Sequence, residues 1–118
     1  MAPKLRLRLT FDNGLLLGPG KADLLQGIAE EGSISAAGRR MKMSYKRAWM
    51  LVEDMNAAFV TPLVESSRGG QKGGGARLTD AGETVLAGFR SLEAMVLERG
   101  ASQIATLSAM LSDIPDQK

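Results

Sequence analysis

Cysteine and histidine are both absent from the 118 residues. The first absence excludes disulfides and thiolate metal sites. The second removes the commonest general base and the commonest metal ligand. An enzyme made from this chain would have to rely on Asp/Glu pairs, and no carboxylates group around a plausible pocket. Glu53 and Asp54 are adjacent, but they read as surface charge at the far end of a helix. The sequence therefore argues against an enzyme, a metal site and a bound cofactor. Aromatic residues are scarce as well: Phe11, Tyr45, Trp49, Phe59 and Phe89. The core must be built from Leu, Val, Ile, Met and Ala. No apolar run approaches the ~18 residues of a membrane span. Met1 to Thr10 alternates Lys/Arg with Leu and has no apolar signal-peptide segment. A cytoplasmic protein without a membrane partner is the expectation.

What is present suits one compact domain over residues 1–118. The net charge of +2 decides little, but its distribution is uneven. The stretch from Arg39 to Arg77 holds eight of the fifteen Lys and Arg, but only three of the thirteen Asp and Glu. A basic middle between acidic flanks suits a face made for an anionic partner, although a solvated surface would read the same way.

Leu5, Leu7, Leu9 and Phe11 alternate with Arg6, Arg8 and Thr10, which predicts a half-buried strand over Lys4–Asp12. Asn13-Gly14 is a hairpin turn signal, with Leu15 to Leu17 as a short return. Gly18-Pro19-Gly20 breaks it. A helix is expected over Lys21–Glu31, ended by Gly32. Ser35 is read as the cap of a short helix, Ala36 to about Met41. Lys42-Met43 makes the turn, and Ser44 caps a longer helix, Tyr45–Phe59. Its face Ala48, Val52, Met55 and Phe59 should point to the core. Two short strands, Leu63–Ser66 and Ala76–Leu78, flank the basic tip Ser67-Arg68-Gly69-Gly70-Gln71-Lys72-Gly73-Gly74-Gly75. That tip lacks the Gly-Lys-Ser/Thr of a phosphate-binding Walker loop. It reads as a wing, with a bland loop as the alternative. Thr79 caps a final long helix whose apolar stripe Val85, Leu86, Phe89, Leu92 and Val96 is too long for so small a domain to bury, so these residues are expected to hold a two-fold homodimer, with Ile104–Leu111 as a second apolar face.

The fold class expected is mainly α with a small β component: a winged helix-turn-helix with an N-terminal strand and a long C-terminal dimerisation helix. Residues 21–59 form the three-helix core, 63–79 the wing, and 79–112 a C-terminal helical dimerisation region. A helix with its side chains fits the ~12 Å major groove, and its N-terminal turns reach base edges. Here those turns hold Ser44, Tyr45, Lys46 and Arg47, with Lys46 and Tyr45 expected at base edges. Trp49 shares a stripe with Tyr45. A lone tryptophan is more often packed than exposed, so both a structural role and a contact to a thymine methyl or sugar stand open. In the tip, glycine lets backbone amides approach phosphates, and Arg68, Lys72 and Arg77 supply charge.

Ser33-Ile34-Ser35, Ser44-Tyr45-Lys46-Arg47-Ala48-Trp49, Glu53-x-Met55-Asn56 and the glycine tip with Leu78-Thr79 together resemble the N-terminal DNA-binding domain of ModE-type molybdate-responsive regulators. Leu78-Thr79-Asp80-Ala81-Gly82 is also similar to the wing-to-helix junction of LysR-type regulators. The resemblance covers roughly Leu5 to Val96. It implies operator binding by the Ser44–Trp49 segment, with Ser33 and Ser35 nearby, and dimerisation through the long terminal helix. ModE-type regulators usually continue into a molybdate-binding domain, whereas this chain stops at Lys118. No small-molecule ligand is expected on this chain itself. The partners expected are double-stranded DNA and a second copy. The competing reading, a winged-helix protein-interaction module that does not touch DNA, is disfavoured by the basic Arg39–Arg77 stretch.

Overall fold

A computed structural model describes residues 3–67 and 75–112 of the chain. It is mainly α with two small antiparallel strand pairs, β1 (Leu9–Thr10) with β2 (Leu16–Leu17) and β3 (Val64–Ser67) with β4 (Gly75–Leu78). The helices are α1 (Pro19–Glu31), α2 (Ile34–Arg40), α3 (Tyr45–Ala58), α4 (Asp80–Arg99) and α5 (Ala101–Ala109).

The N-terminal hairpin turns where Asn13-Gly14 predicts it. Gly14 takes φ +95°, which a side chain would disfavour. The Asn13 side chain accepts from the Leu15 N–H at 3.1 Å and donates to the Ala58 carbonyl at 2.9 Å, tying the hairpin to the end of α3. The strand expected over Lys4–Asp12 is corrected to two residues. Its partner stops at Leu17, because Gly18 serves as the N-cap of α1 and Pro19 occupies its first turn. For the same reason α1 begins two residues before Lys21. Leu7 and Leu9 still pack on Leu17, Ala22 and Phe89.

Leu24, Leu25 and Ile28 of α1, Ile34 and Ala37 of α2, and Ala48, Val52 and Met55 of α3 form the main core. Leu63, Val64, Ala76 and Leu78 close it from the strand side. Two glycines let the three helices approach closely. A methyl added at Gly27 would stand 3.1 Å from Ala37 Cβ, and one at Gly38 would stand 3.2 Å from Ala48 Cβ. The cap of α2 is Ser33, not Ser35: the Ser33 hydroxyl accepts from the Ala36 N–H at 3.0 Å. Gly32 ends α1 in the left-handed region, so the chain reaches extended geometry at Ser33, and the helix starts one residue later.

Asn56 holds the base of the wing. Its amide oxygen accepts from the Leu63 and Val64 N–H groups at 2.8 and 3.1 Å, and its nitrogen donates to the Val64 carbonyl at 3.0 Å. Asn56→Ala strands three backbone groups in a partly buried place and is expected to cost about 2 kcal/mol. Asn56→Asp keeps the acceptor and should fall between the two. Urea unfolding of the three proteins checks the order.

Thr79 caps α4, as expected, accepting from the Gly82 N–H at 3.0 Å. Arg90 fastens α4 to α1 through Asp23 at 2.7 Å and Gln26 at 2.8 Å, with Glu93 on the same helix at 3.2 Å. Burial works against the charge of Arg90, but the hydrogen bonds and charges of Asp23 and Glu93 outweigh it and raise its pKa. The apolar stripe of α4 divides in its use. Phe89 is buried with Leu17 and Ala22, and Val85 and Leu86 pack against the chain's own core. Leu92 and Val96 are half-buried. Beyond them Met95, Leu97, Leu107, Met110 and Leu111 are exposed, and α5 buries none of its residues.

Candidate nucleic-acid interface

The turn before α3 is made by Lys42, at φ +60°, and by the Met43 N–H, which donates to the Gly38 carbonyl at 2.9 Å. Ser44 then caps α3 by accepting from the Arg47 N–H at 3.1 Å. Anchored this way, α3 presents three faces. Ala48, Val52 and Met55 face the core and are buried. Tyr45 and Trp49 lie on the flank toward the β3–β4 hairpin, with rings stacked at 6.3 Å and nearly parallel at 17°. Ser44, Lys46, Arg47, Met50, Leu51 and Asp54 line a shallow recess on the outer side.

Trp49 is 37% exposed, so it is no core residue. With Tyr45 it borders a groove of about 510 Å³ between α2, α3 and the hairpin, also lined by Ser33, Ile34, Ser35, Ser66, Ser67, Gly75 and Ala76. Four predicted site residues, Ser33, Ser35, Tyr45 and Trp49, therefore meet in one place. Three others, Ser44, Lys46 and Arg47, share the outer recess. The groove adds Ser66 and Ser67, which the sequence reading did not single out. Their signal was the strand register: two hydroxyls end β3 directly opposite Gly75 and Ala76.

The hairpin is held against this groove from below. The Ala76 N–H donates to the Gly32 carbonyl at 2.9 Å, joining β4 to the α1–α2 corner. Arg77 sits across from Glu65 and pairs with it at 2.6 Å, so part of its charge is answered within the hairpin. Arg40 is likewise answered, by Glu30 at 2.7 Å and Glu31 at 3.2 Å. The hydrogen bonds from Gln26 and Arg40 hold the Glu30 carboxyl below its usual range. Lys46 and Arg47 have no ion-pair partner among the described residues. The predicted phosphate contacts Arg68 and Lys72 lie outside the described residues. Among the described residues no group of His, Cys, Asp or Glu could hold a metal, and no helix is long and apolar enough to cross a membrane.

A groove of hydroxyls and stacked aromatics on one flank of a capped helix, with the unpaired cations Lys46 and Arg47 in the recess on its outer side, makes a surface for a polyanion with exposed edges. Comparison with known proteins agrees with that geometry. Residues 21–83 match the bacterial regulatory helix-turn-helix proteins of the lysR family. The chain is similar to the molybdenum-pterin-binding protein MopA of Rhodobacter capsulatus, with 44% identity over 92 residues, covering 73% of this chain and 35% of that protein. It is similar to the molybdenum transport protein ModE of Azotobacter vinelandii, with 41% identity over 88 residues, 75% of this chain and 33% of that one. The DNA-binding transcriptional dual regulator ModE of Escherichia coli K12 is 37% identical over 86 residues, 73% of this chain and 33% of that one. The chain thus spans about a third of the length of the curated relatives it matches.

Proposed function

Because this chain belongs to the lysR family of bacterial regulatory helix-turn-helix proteins, we propose that it is a sequence-specific double-stranded DNA-binding transcription regulator that acts as a homodimer. The first turns of α3, from Tyr45 through Glu53, enter the major groove. The capped helix start favours nearby phosphate, and Lys46 and Tyr45 reach base edges. The groove between α3 and the hairpin takes the adjacent backbone: Ser33, Ser35, Ser66 and Ser67 offer hydroxyl donors to phosphate oxygens, and Trp49 lies against a sugar. On sequence grounds Arg68 and Lys72 grip phosphates. The observation that carries this reading is the meeting of the α2 start, the Tyr45–Trp49 stack and the wing strands in a single groove. The molybdenum relatives bear on the signal only by similarity, and a role in molybdate-responsive control belongs to the same proposal.

Binding of a labelled duplex pool, followed by anisotropy across a salt series, tests it. Affinity should fall steeply with salt. Arg68→Ala and Lys72→Ala should each weaken binding to all sequences alike and reduce the slope by about one. A protein-interaction module would show no salt-dependent DNA binding.

A further inference from the structure

The solvent-facing centre of α3, directly opposite its buried face, holds three side chains of different chemistry. Lys46, Met50 and Glu53 stand at positions i, i+4 and i+7, one above another on the same stripe. All three are exposed, Met50 at 54%. Neither Lys46 nor Glu53 makes an ion pair among the described residues, so neither is committed to holding the fold. An acid on a helix aimed at DNA repels phosphate at every sequence, and a bare thioether gains nothing from phosphate. A carboxylate can instead accept from base-edge donors and a thioether can pack on a methyl, and the floor of the major groove presents both.

We infer that Lys46, Met50 and Glu53 form a donor–apolar–acceptor stripe that selects a guanine, a thymine and a cytosine, in that order, along the major groove. The inference rests on the DNA-reading function proposed above. Lysine donates to guanine O6 and N7, an apolar group packs on the thymine C5-methyl, and a carboxylate accepts from cytosine N4. Lys46 and Glu53 are separated by about 10.5 Å along the helix axis, or roughly three base steps of ~3.4 Å. The three bases therefore fall within about four consecutive base pairs, on either strand. Asp54 shares the outer recess with Lys46 and Met50, but eight residues of helix turn it about 80° from Lys46, toward Arg47, and it serves as the flanking control.

The test is selection of bound duplexes from a randomised pool by the whole chain, in parallel with Lys46→Ala, Met50→Ala, Glu53→Ala and Asp54→Asn. All four positions are exposed, and matched circular-dichroism melts check that each variant is folded. The wild type should enrich guanine, thymine and cytosine in order. Each stripe variant should lose about tenfold discrimination at its own base and keep the other two, while Asp54→Asn keeps all three. Replacing the selected thymine by uracil, which lacks only the methyl, should weaken wild-type binding several-fold and leave Met50→Ala unchanged. A wild type that selects a site whose pattern survives all three variants overturns the stripe but leaves the DNA-reading function standing. A wild type with no sequence preference overturns that function, and the stripe with it.

Discussion

Gly82→Ala is expected to destabilise the protein by about 3 kcal/mol, lowering its melting temperature by roughly 12 °C. Gly82 is buried in the first turn of α4, where a Cβ would run into the Leu63 carbonyl oxygen and stand 3.0 Å from its carbon. The atom in the way is backbone, and it is held from both sides. The Leu63 carbonyl accepts from the Thr79 N–H at 2.9 Å, and the Leu63 N–H is bound by Asn56. The Thr79 hydroxyl donates to the Pro62 carbonyl at 2.6 Å while accepting from Gly82. A methyl therefore forces apart the junction where α3, the wing and the long helix meet. Gly88→Ala is the opposite case on the same helix. It has open space around it and should gain about 0.5–1 kcal/mol from the higher helix propensity of alanine. Thermal unfolding of both variants at one protein concentration checks the contrast. Equal melting of Gly82→Ala and wild type would mean that the junction is not a tight contact.

The residues that were legible in the sequence are those whose role is local. Asn13-Gly14 signals its turn because only a few residue types tolerate the left-handed region. Ser44 and Thr79 signal helix starts because a hydroxyl answers orphan amides within its own turn. Ala48, Val52 and Met55 signal a buried face by their spacing alone. The readings that needed correction turn on neighbours distant in sequence. Ser33 and Ser35 are equally good caps in isolation, and Gly32 together with the approach of Ala37 to Gly27 decides for Ser33. Leu5 and Leu7 alternate like a strand, but α1 begins too early to leave them a partner. Phe89 looks like interface on a helical wheel, yet it packs against Leu17 from the hairpin. At the site, the Tyr45–Trp49 stripe was visible from the four-residue spacing. That Ser66 and Ser67 close the other wall was not visible, because it depends on β4 docking on the Gly32 carbonyl.

Leu107→Glu combined with Met110→Glu is expected to turn a dimer into a monomer and to weaken operator binding at least 100-fold. The motivating feature is where the apolar surface lies. Leu107 is 64% exposed, Met110 77% and Leu111 76%, at spacings that put the three on one side of the chain's last helical turns, and Met95 and Leu97 on α4 are exposed as well. The radius of gyration is 17.3 Å, against about 13.5 Å expected for a compact chain of this length. The excess fits α4 and α5 projecting from the core, with Leu107, Met110 and Leu111 left wet for a second copy related by a two-fold axis to cover. Such a dimer sets its two α3 helices about 34 Å apart, or a multiple of that, and prefers a palindrome. Glutamate is a good helix former, so the double variant should keep α5 helical while charging its apolar side. Ala105→Glu places the same charge on the opposite side of α5 and should leave the dimer intact. Loss of the second half-site removes a linked contact whose effective concentration is near millimolar, which accounts for the size of the affinity loss. Light scattering from about 1 to 100 µM, with DNA titration of the same samples, reads both effects. A wild type that is monomeric throughout would overturn the dimer, and a double variant that stays dimeric would move the contact away from α5.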